Sequence, residues 1–275
     1  LTAVQMATLN PAEAFGLKAA GAVAPGKRAD LVVFSDLEKP QMELVFCRGE
    51  LVAEDGRMCA AIQSPPVPEP PRVMNLDPDA VDFALPAAGG RIRVIELVPG
   101  QVLTGRQTAA ARIVDGRAEA DVKRDLLKLA VVERYTGKGG TGVGFVRGFG
   151  LRNGALASSV AHDSHNIITV GTCDADMKTA VVEVVRLGGG LAVAAGGGVR
   201  ESLPLPIAGL MSAEPMPSVR RRLDALTEAA RALGAVPEDP FMALSFLALP
   251  VIPELKLTDR GLIDVDRFRP VSLFL

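Results

Sequence analysis

The chain has 275 residues, 48% hydrophobic and 23% charged, enough apolar mass for one large or two small packed domains. A formal net charge of -2 argues against a general nucleic-acid binder or a basic membrane-surface protein. With no Trp and one Tyr, surfaces for stacking bases are scarce, and no 18-residue apolar run or basic-then-apolar leader points to a membrane or to export.

Residues 1–17 predict two short helices. Ala3, Val4, Met6 and Ala7 fit the end of one, and Asn10-Pro11-Ala12-Glu13 supplies a cap, an early proline and a first-turn acid for the next. A chain that begins at Leu1, already in a helical pattern, reads as a cut piece. Past Gly21 and the Pro25-Gly26 turn signal the pattern changes to strands: 31–34, 44–47 and 51–53, the last two joined across Arg48-Gly49-Glu50. Three strands this short bury too little alone and should complete a sheet begun elsewhere. Cys47, Cys59 and Cys173 fit neither a CxxC metal site nor a disulfide framework, so a reduced, cytoplasmic setting with all three buried or half-buried is the simpler expectation.

The prolines of Ser64-Pro65-Pro66-Val67-Pro68-Glu69-Pro70-Pro71 lack amide donors and favour extended chain, which makes 62–85 the expected linker. Beyond it, 92–98, 127–133, 143–146 and 167–170 are strand candidates. Residues 174–187 predict a helix with Met177, Ala180, Val181, Val184 and Val185 as its apolar stripe and Asp174 and Asp176 at the positive end of its dipole. A hairpin around Gly196-Gly197-Gly198 follows. A second helix opens at Pro217, carries Val219, Leu223, Leu226, Ala230 and Leu233, and stops at Gly234.

His162-Asp163-Ser164-His165-Asn166 holds both histidines of the chain, just before the strand at Ile167. Imidazoles titrate near neutrality and move protons or bind metal, and neighbouring Asp and Asn side chains orient them. The plain alternative is a turn whose side chains satisfy its own backbone. A complete metal site here is not expected, since a catalytic zinc usually takes three protein ligands. A serine triad built on Ser164 lacks the GxSxG elbow. The glycine run 136–142 fails the phosphate-loop pattern, with Val131 and Val132 where its first glycine belongs, and no helix follows; a flexible loop, or at most a lid, is expected. Arg220-Arg221-Arg222 reads as a solvated helix face.

Asn10-Pro11-Ala12-Glu13-Ala14-Phe15-Gly16-Leu17, with Gly21 and Pro25-Gly26-Lys27-Arg28-Ala29-Asp30-Leu31-Val32-Val33, resembles the segment where amidohydrolase-superfamily chains leave their barrel and complete a small β-sandwich. Later blocks resemble the C-terminal domain of adenine deaminases: Val131-Val132-Glu133-Arg134, Gly144-Phe145-Val146-Arg147-Gly148-Phe149-Gly150-Leu151, the stretch 157–168 around the histidines, Leu203-Pro204-Leu205-Pro206, Asp239-Pro240-Phe241-Met242 and Leu249-Pro250-Val251-Ile252-Pro253-Glu254-Leu255-Lys256. One departure stands out: Tyr135 occupies a position where that family often carries histidine.

The resemblance implies an α/β (α+β) fold: the end of a TIM-like barrel over 1–18, β-sandwich strands over 19–61, the linker, and a mixed α/β C-terminal domain over 86–275. It implies hydrolysis of adenine to hypoxanthine and ammonia by a metal-activated water, with a divalent transition metal, manganese or iron, held by barrel strands that this chain lacks. This piece alone should then be inactive. His162, Asp163 and His165 would support the reaction from beside the barrel mouth, with no metal ligand in this chain. The implied partners are adenine and further copies of the chain in a homo-oligomer, without nucleic acid or membrane. Two alternatives stay open: a non-catalytic docking or assembly module, and the tail of another cyclic amide or amidine hydrolase.

Overall fold

A computed structural model describes residues 1–59 and 73–275, which fall into two units, Leu1–Pro68 and Glu69–Leu275. The architecture is mixed α/β with several sheets, as expected, and no closed barrel occurs among the described residues. No described helix is long and apolar enough to cross a membrane.

The first unit opens with α1 (Thr2–Ala7) and α2 (Leu9–Ala14), which between them bury only Ala12. A four-stranded antiparallel sheet follows: β1 (Leu31–Phe34), β2 (Met42–Cys47), β3 (Glu50–Glu54) and β4 (Arg57–Met58) in chain order. Arg48 and Gly49 both take positive φ, 52° and 86°, so β2 and β3 meet through a two-residue turn whose twist matches the strands. Asp55-Gly56 repeats the device and creates β4, absent from the sequence reading. Val32, Val33 and Phe15 remain exposed, as does much of this unit's apolar surface.

The second unit is built on β5 (Arg91–Leu97), β6 (Thr104–Ala110), β7 (Arg112–Val114), β8 (Arg117–Glu119), β9 (Leu127–Val132), β10 (Thr141–Arg147), β11 (Ala155–Ser158), β12 (Ile167–Gly171), α3 (Asp174–Arg186), β13 (Gly190–Ala195), β14 (Gly198–Pro204), α4 (Met216–Ala232), α5 (Pro240–Phe246), β15 (Leu255–Thr258), β16 (Gly261–Asp264) and β17 (Arg269–Pro270). Eight strands form one sheet in the order β14-β13-β11-β12-β9-β10-β5-β6, antiparallel except where β10 meets β5.

Helices cover both faces of the sheet's centre, so its strands read as continuous apolar runs rather than alternating ones. In β9 the pleat deals its side chains to two cores. Leu127, Leu129 and Val131 join α4, α5 and the β15–β16 hairpin. Ala130 and Val132 face α3, whose buried Met177, Ala180, Val181 and Val184 are the predicted stripe, Val185 being half-buried. The α3 face is made of small residues, Ala130, Ala155, Ala157, Ala192 and Ala194, which let the helix sit close to the sheet.

The proline run lies outside the described residues. The rest of the expected linker, from Val73, is no linker: Leu76, Val81 and Phe83 are buried in the α3 core, and a short 3-10 turn at Pro78–Ala80 is capped by Asp77. Proline density outweighed these three apolar residues in the sequence. The cysteines also depart from expectation, since Cys47, Cys59 and Cys173 are all exposed.

Candidate functional site

The connection from β11 to β12, residues 159–166, carries both histidines. His162 and His165 are half-buried, Asp163 and Ser164 are exposed, and Asn166 is buried. The turn closes with the His165 amide donating to the Ala161 carbonyl at 2.7 Å, and His165 sits in the left-handed region at φ 52°. The two imidazoles meet edge to face with centroids 5.6 Å apart, and His162 also packs against the Phe246 ring at 4.9 Å. Phe246 in turn lines an apolar cleft of about 500 Å³ between the 97–102 turn and α5, with Val98, Val102 and Met242 among its walls.

The structure therefore brings His162 and His165 together but leaves Asp163 apart: no hydrogen bond joins its carboxylate to either ring among the described residues. The turn exposes that side chain, so Asp163 acts on His165 only through its charge. Burial pushes the His165 pKa below its ordinary value, the neighbouring His162 and Arg134 add to the fall, and Asp163 opposes it. His165 Nδ1 and Asn166 Oδ1 are both buried without a hydrogen-bond partner among the described residues. Unsatisfied polar atoms are rare enough in folded cores that two in one turn ask for an explanation.

The residues that hold this turn follow β9; the sequence marked Tyr135 only as a departure from the family pattern that could alter activity, and gave Arg134 no role at the site. Glu133 accepts from Thr136 Oγ1 at 2.6 Å and from the Tyr135 and Thr136 amides, so it anchors the start of the glycine loop. Burial raises its pKa, and these three bonds outweigh that and lower it overall. Arg134 is 1% exposed and has only neutral acceptors among the described residues. Its guanidinium donates to the carbonyls of His165, Val73 (3.2 Å) and Ala208 (3.0 Å), and to the Tyr135 hydroxyl (3.0 Å). The Tyr135 hydroxyl in turn donates to the Ser164 carbonyl at 2.9 Å. Asn75 completes the group, its side chain donating to the Tyr135 carbonyl at 2.7 Å and its amide to the Arg134 carbonyl at 2.8 Å. A signal did exist: two charged residues, Glu133 and Arg134, directly follow the mostly apolar central strand β9.

The loop 205–211 closes the far side. Gly209, at φ 73°, leaves no room for a side chain, because a Cβ would lie 2.7 Å from an Arg134 nitrogen. Its carbonyl accepts from Ser159 Oγ at 2.6 Å.

A metal does not fit here. Among the described residues no three His, Cys, Asp or Glu side chains come together, and two imidazoles fall short of the three protein ligands usual for a catalytic ion. The arrangement can instead hold a largely neutral imidazole and an unengaged amide oxygen in a fixed backbone frame, groups that bind or move protons on a polar ligand.

Comparison with known proteins agrees with this architecture. Residues 1–52 match the amidohydrolase family, and residues 101–269 match the adenine deaminase C-terminal domain. Adenine deaminase of Desulfatibacillum aliphaticivorans is 55% identical over 274 residues, covering 100% of this chain and 48% of that protein. That of Methanothrix thermoacetophila is 46% identical, over 100% of this chain and 48% of its own length; one from Dehalococcoides mccartyi is 45% identical, over 97% and 47%. The class is thus a mixed α/β domain that follows an amidohydrolase-like segment. More narrowly, the chain belongs to the adenine deaminase C-terminal domain family, and it spans about half the length of the curated relatives it matches.

Proposed function

We propose that this chain forms the C-terminal part of an enzyme that hydrolyses adenine to hypoxanthine and ammonia. The observation that carries the reading is unbroken similarity to proteins named adenine deaminase, 55% identical over 274 residues in one of them. The divalent metal implied by that family, manganese or iron, has no seat among the described residues and belongs to the preceding part of the enzyme. This chain contributes the 162–166 turn beside the substrate, with His162 and His165 as its working groups and Asp163 acting on His165 by charge. The exposed apolar surface of the first unit, Phe15, Val23, Val32 and Val33 included, supports its role as the completion of a larger domain.

The test is a fusion of this chain to the preceding half of the Desulfatibacillum relative, loaded with manganese or iron. Ammonia released from adenine supports the reaction; release from other cyclic amides or amidines but not from adenine reassigns the substrate. In the same fusion, His162→Asn with His165→Asn is expected to lower kcat/KM by roughly 100-fold, the lower end of what proton transfer by a positioned side chain contributes. Unchanged kcat/KM would leave the reaction standing and remove the turn from it.

A further inference from the structure

We propose that Arg134 and Tyr135 are the positioning residues of the 162–166 turn: they fix its backbone so that His165 and Asn166 keep their polar atoms free for a ligand. The proposal rests on the reading of that turn as part of the substrate site.

Three observations carry it. First, Arg134 is a buried cation with no carboxylate among its partners in the described residues; its acceptors there are the Tyr135 hydroxyl, the Met74 sulfur and three carbonyls from three separate segments. Burying a guanidinium against neutral acceptors costs stability that an apolar residue of similar size would not, so what the arginine gives is directional: a planar fork that sets where those carbonyls lie. Second, the carbonyls of the two residues that end the turn's exposed part are held by side chains rather than by a sheet ladder, Ser164 by the Tyr135 hydroxyl and His165 by Arg134 Nε. His165 is left-handed at φ 52°, a conformation unfavourable for a non-glycine residue, so it needs such outside support. Third, the seat is shaped for the guanidinium: Gly209 admits no Cβ against it, and the Ser159 hydroxyl ties the Gly209 carbonyl to the start of the same connection. The turn is therefore clamped at both ends, and inside the clamp His165 Nδ1 and Asn166 Oδ1 are buried without a partner among the described residues. A core built for stability alone would have paired them.

The charged and titratable groups around His165 are His162 and Asp163 from its own turn and Arg134 from just after β9, with the Tyr135 hydroxyl bonded to its carbonyl frame. Arg134→Lys keeps the positive charge and loses the fork. Tyr135→Phe keeps the ring and loses the hydroxyl. In the 275-residue chain, the His162 and His165 rings are titrated by nitrogen NMR, and amide exchange is followed at residues 163–166. Each variant is expected to raise the His165 midpoint towards 6.5, because a loosened turn lets water in. Exchange in the turn should speed up by about tenfold, the equivalent of one lost hydrogen bond, with β12 amides unchanged.

A general loss of stability would lower Tm without moving the His165 midpoint, and a lost charge is absent from both variants. Should Arg134→Lys fail to fold, Tyr135→Phe decides alone. A folded Tyr135→Phe chain with an unmoved His165 midpoint and unchanged turn exchange overturns the proposal. Both readouts are taken without adenine, so failure here and failure of the deaminase reading are separate results.

Discussion

Lys256 is the residue whose burial is least compensated. Its side chain is fully buried on β15, and its ammonium has one partner, the Val102 carbonyl at 2.9 Å. Burial lowers its pKa from 10.5 to about 8. Between those values the unfolded chain holds the proton more often than the folded one, so stability rises with pH across the window. Below about pH 8 both states are protonated and the full cost, about 3 kcal/mol, is in force. Lys256→Met is therefore expected to gain about 2 kcal/mol at pH 7, after allowing for the carbonyl left unpaired, and to abolish the rise towards pH 10. Urea denaturation of both chains at pH 7 and pH 10 checks this; a destabilised Lys256→Met that keeps the rise counts against it. The same reasoning applies to His165 on the acid side, where its lowered pKa makes the fold lose stability as pH falls below 6.5.

At the scale of elements, the predicted strands and helices that the structure reproduces best are those whose residues are apolar for one reason. The 127–133, 143–146 and 167–170 runs became β9, β10 and β12 because both sheet faces are covered, and the 174–187 stripe became α3 because one face is. Elements without such a pattern were illegible. β6, Thr104–Ala110, is a polar edge strand held by its register with β5, and β11, Ala155–Ser158, is buried through small residues that carry little signal. Two missed hairpins had a readable sign: Asp55-Gly56 and Asp115-Gly116 both adopt paired positive φ, the turn that Asp-Gly favours between strands.

Lys128 shows the limit from the other side. An apolar strand gave no hint that its one lysine would lie buried between Glu119 at 3.0 Å and Asp174 at 2.6 Å, because both carboxylates come from elsewhere. Asp174, read only as a dipole partner, proves to be an ion-pair partner too. The candidate site divides the same way. Its histidines were visible as a cluster, whereas Arg134 and Tyr135 reach the turn from about thirty residues upstream and Asn75 supports those two from a third segment.

The glycine run also gains a specific element-scale cause. Gly142, the second residue of β10, lies under the β15–β16 hairpin, where a Cβ would overlap the Thr258 carbonyl oxygen. Gly142→Ala is expected to destabilise the chain by about 3 kcal/mol through this overpacking, as read by denaturant midpoint; a change under about 0.5 kcal/mol contradicts it.

At the scale of the whole molecule, the proposed function has the second unit hold the 162–166 turn beside the substrate and leaves water activation to a part of the enzyme outside this chain. The second unit has a two-sided sheet, its own cores and a self-contained clamp around the turn, while the first buries little and matches the amidohydrolase family over 1–52. The relatives at 45–55% identity are about twice as long. The measurement that tests this division most directly is a paired assay on the purified 275-residue chain, incubated with manganese or iron and then with adenine. Metal content after dialysis and ammonia released are read together. The account predicts substoichiometric metal and no ammonia. One tightly held metal ion per chain together with steady ammonia release would contradict it.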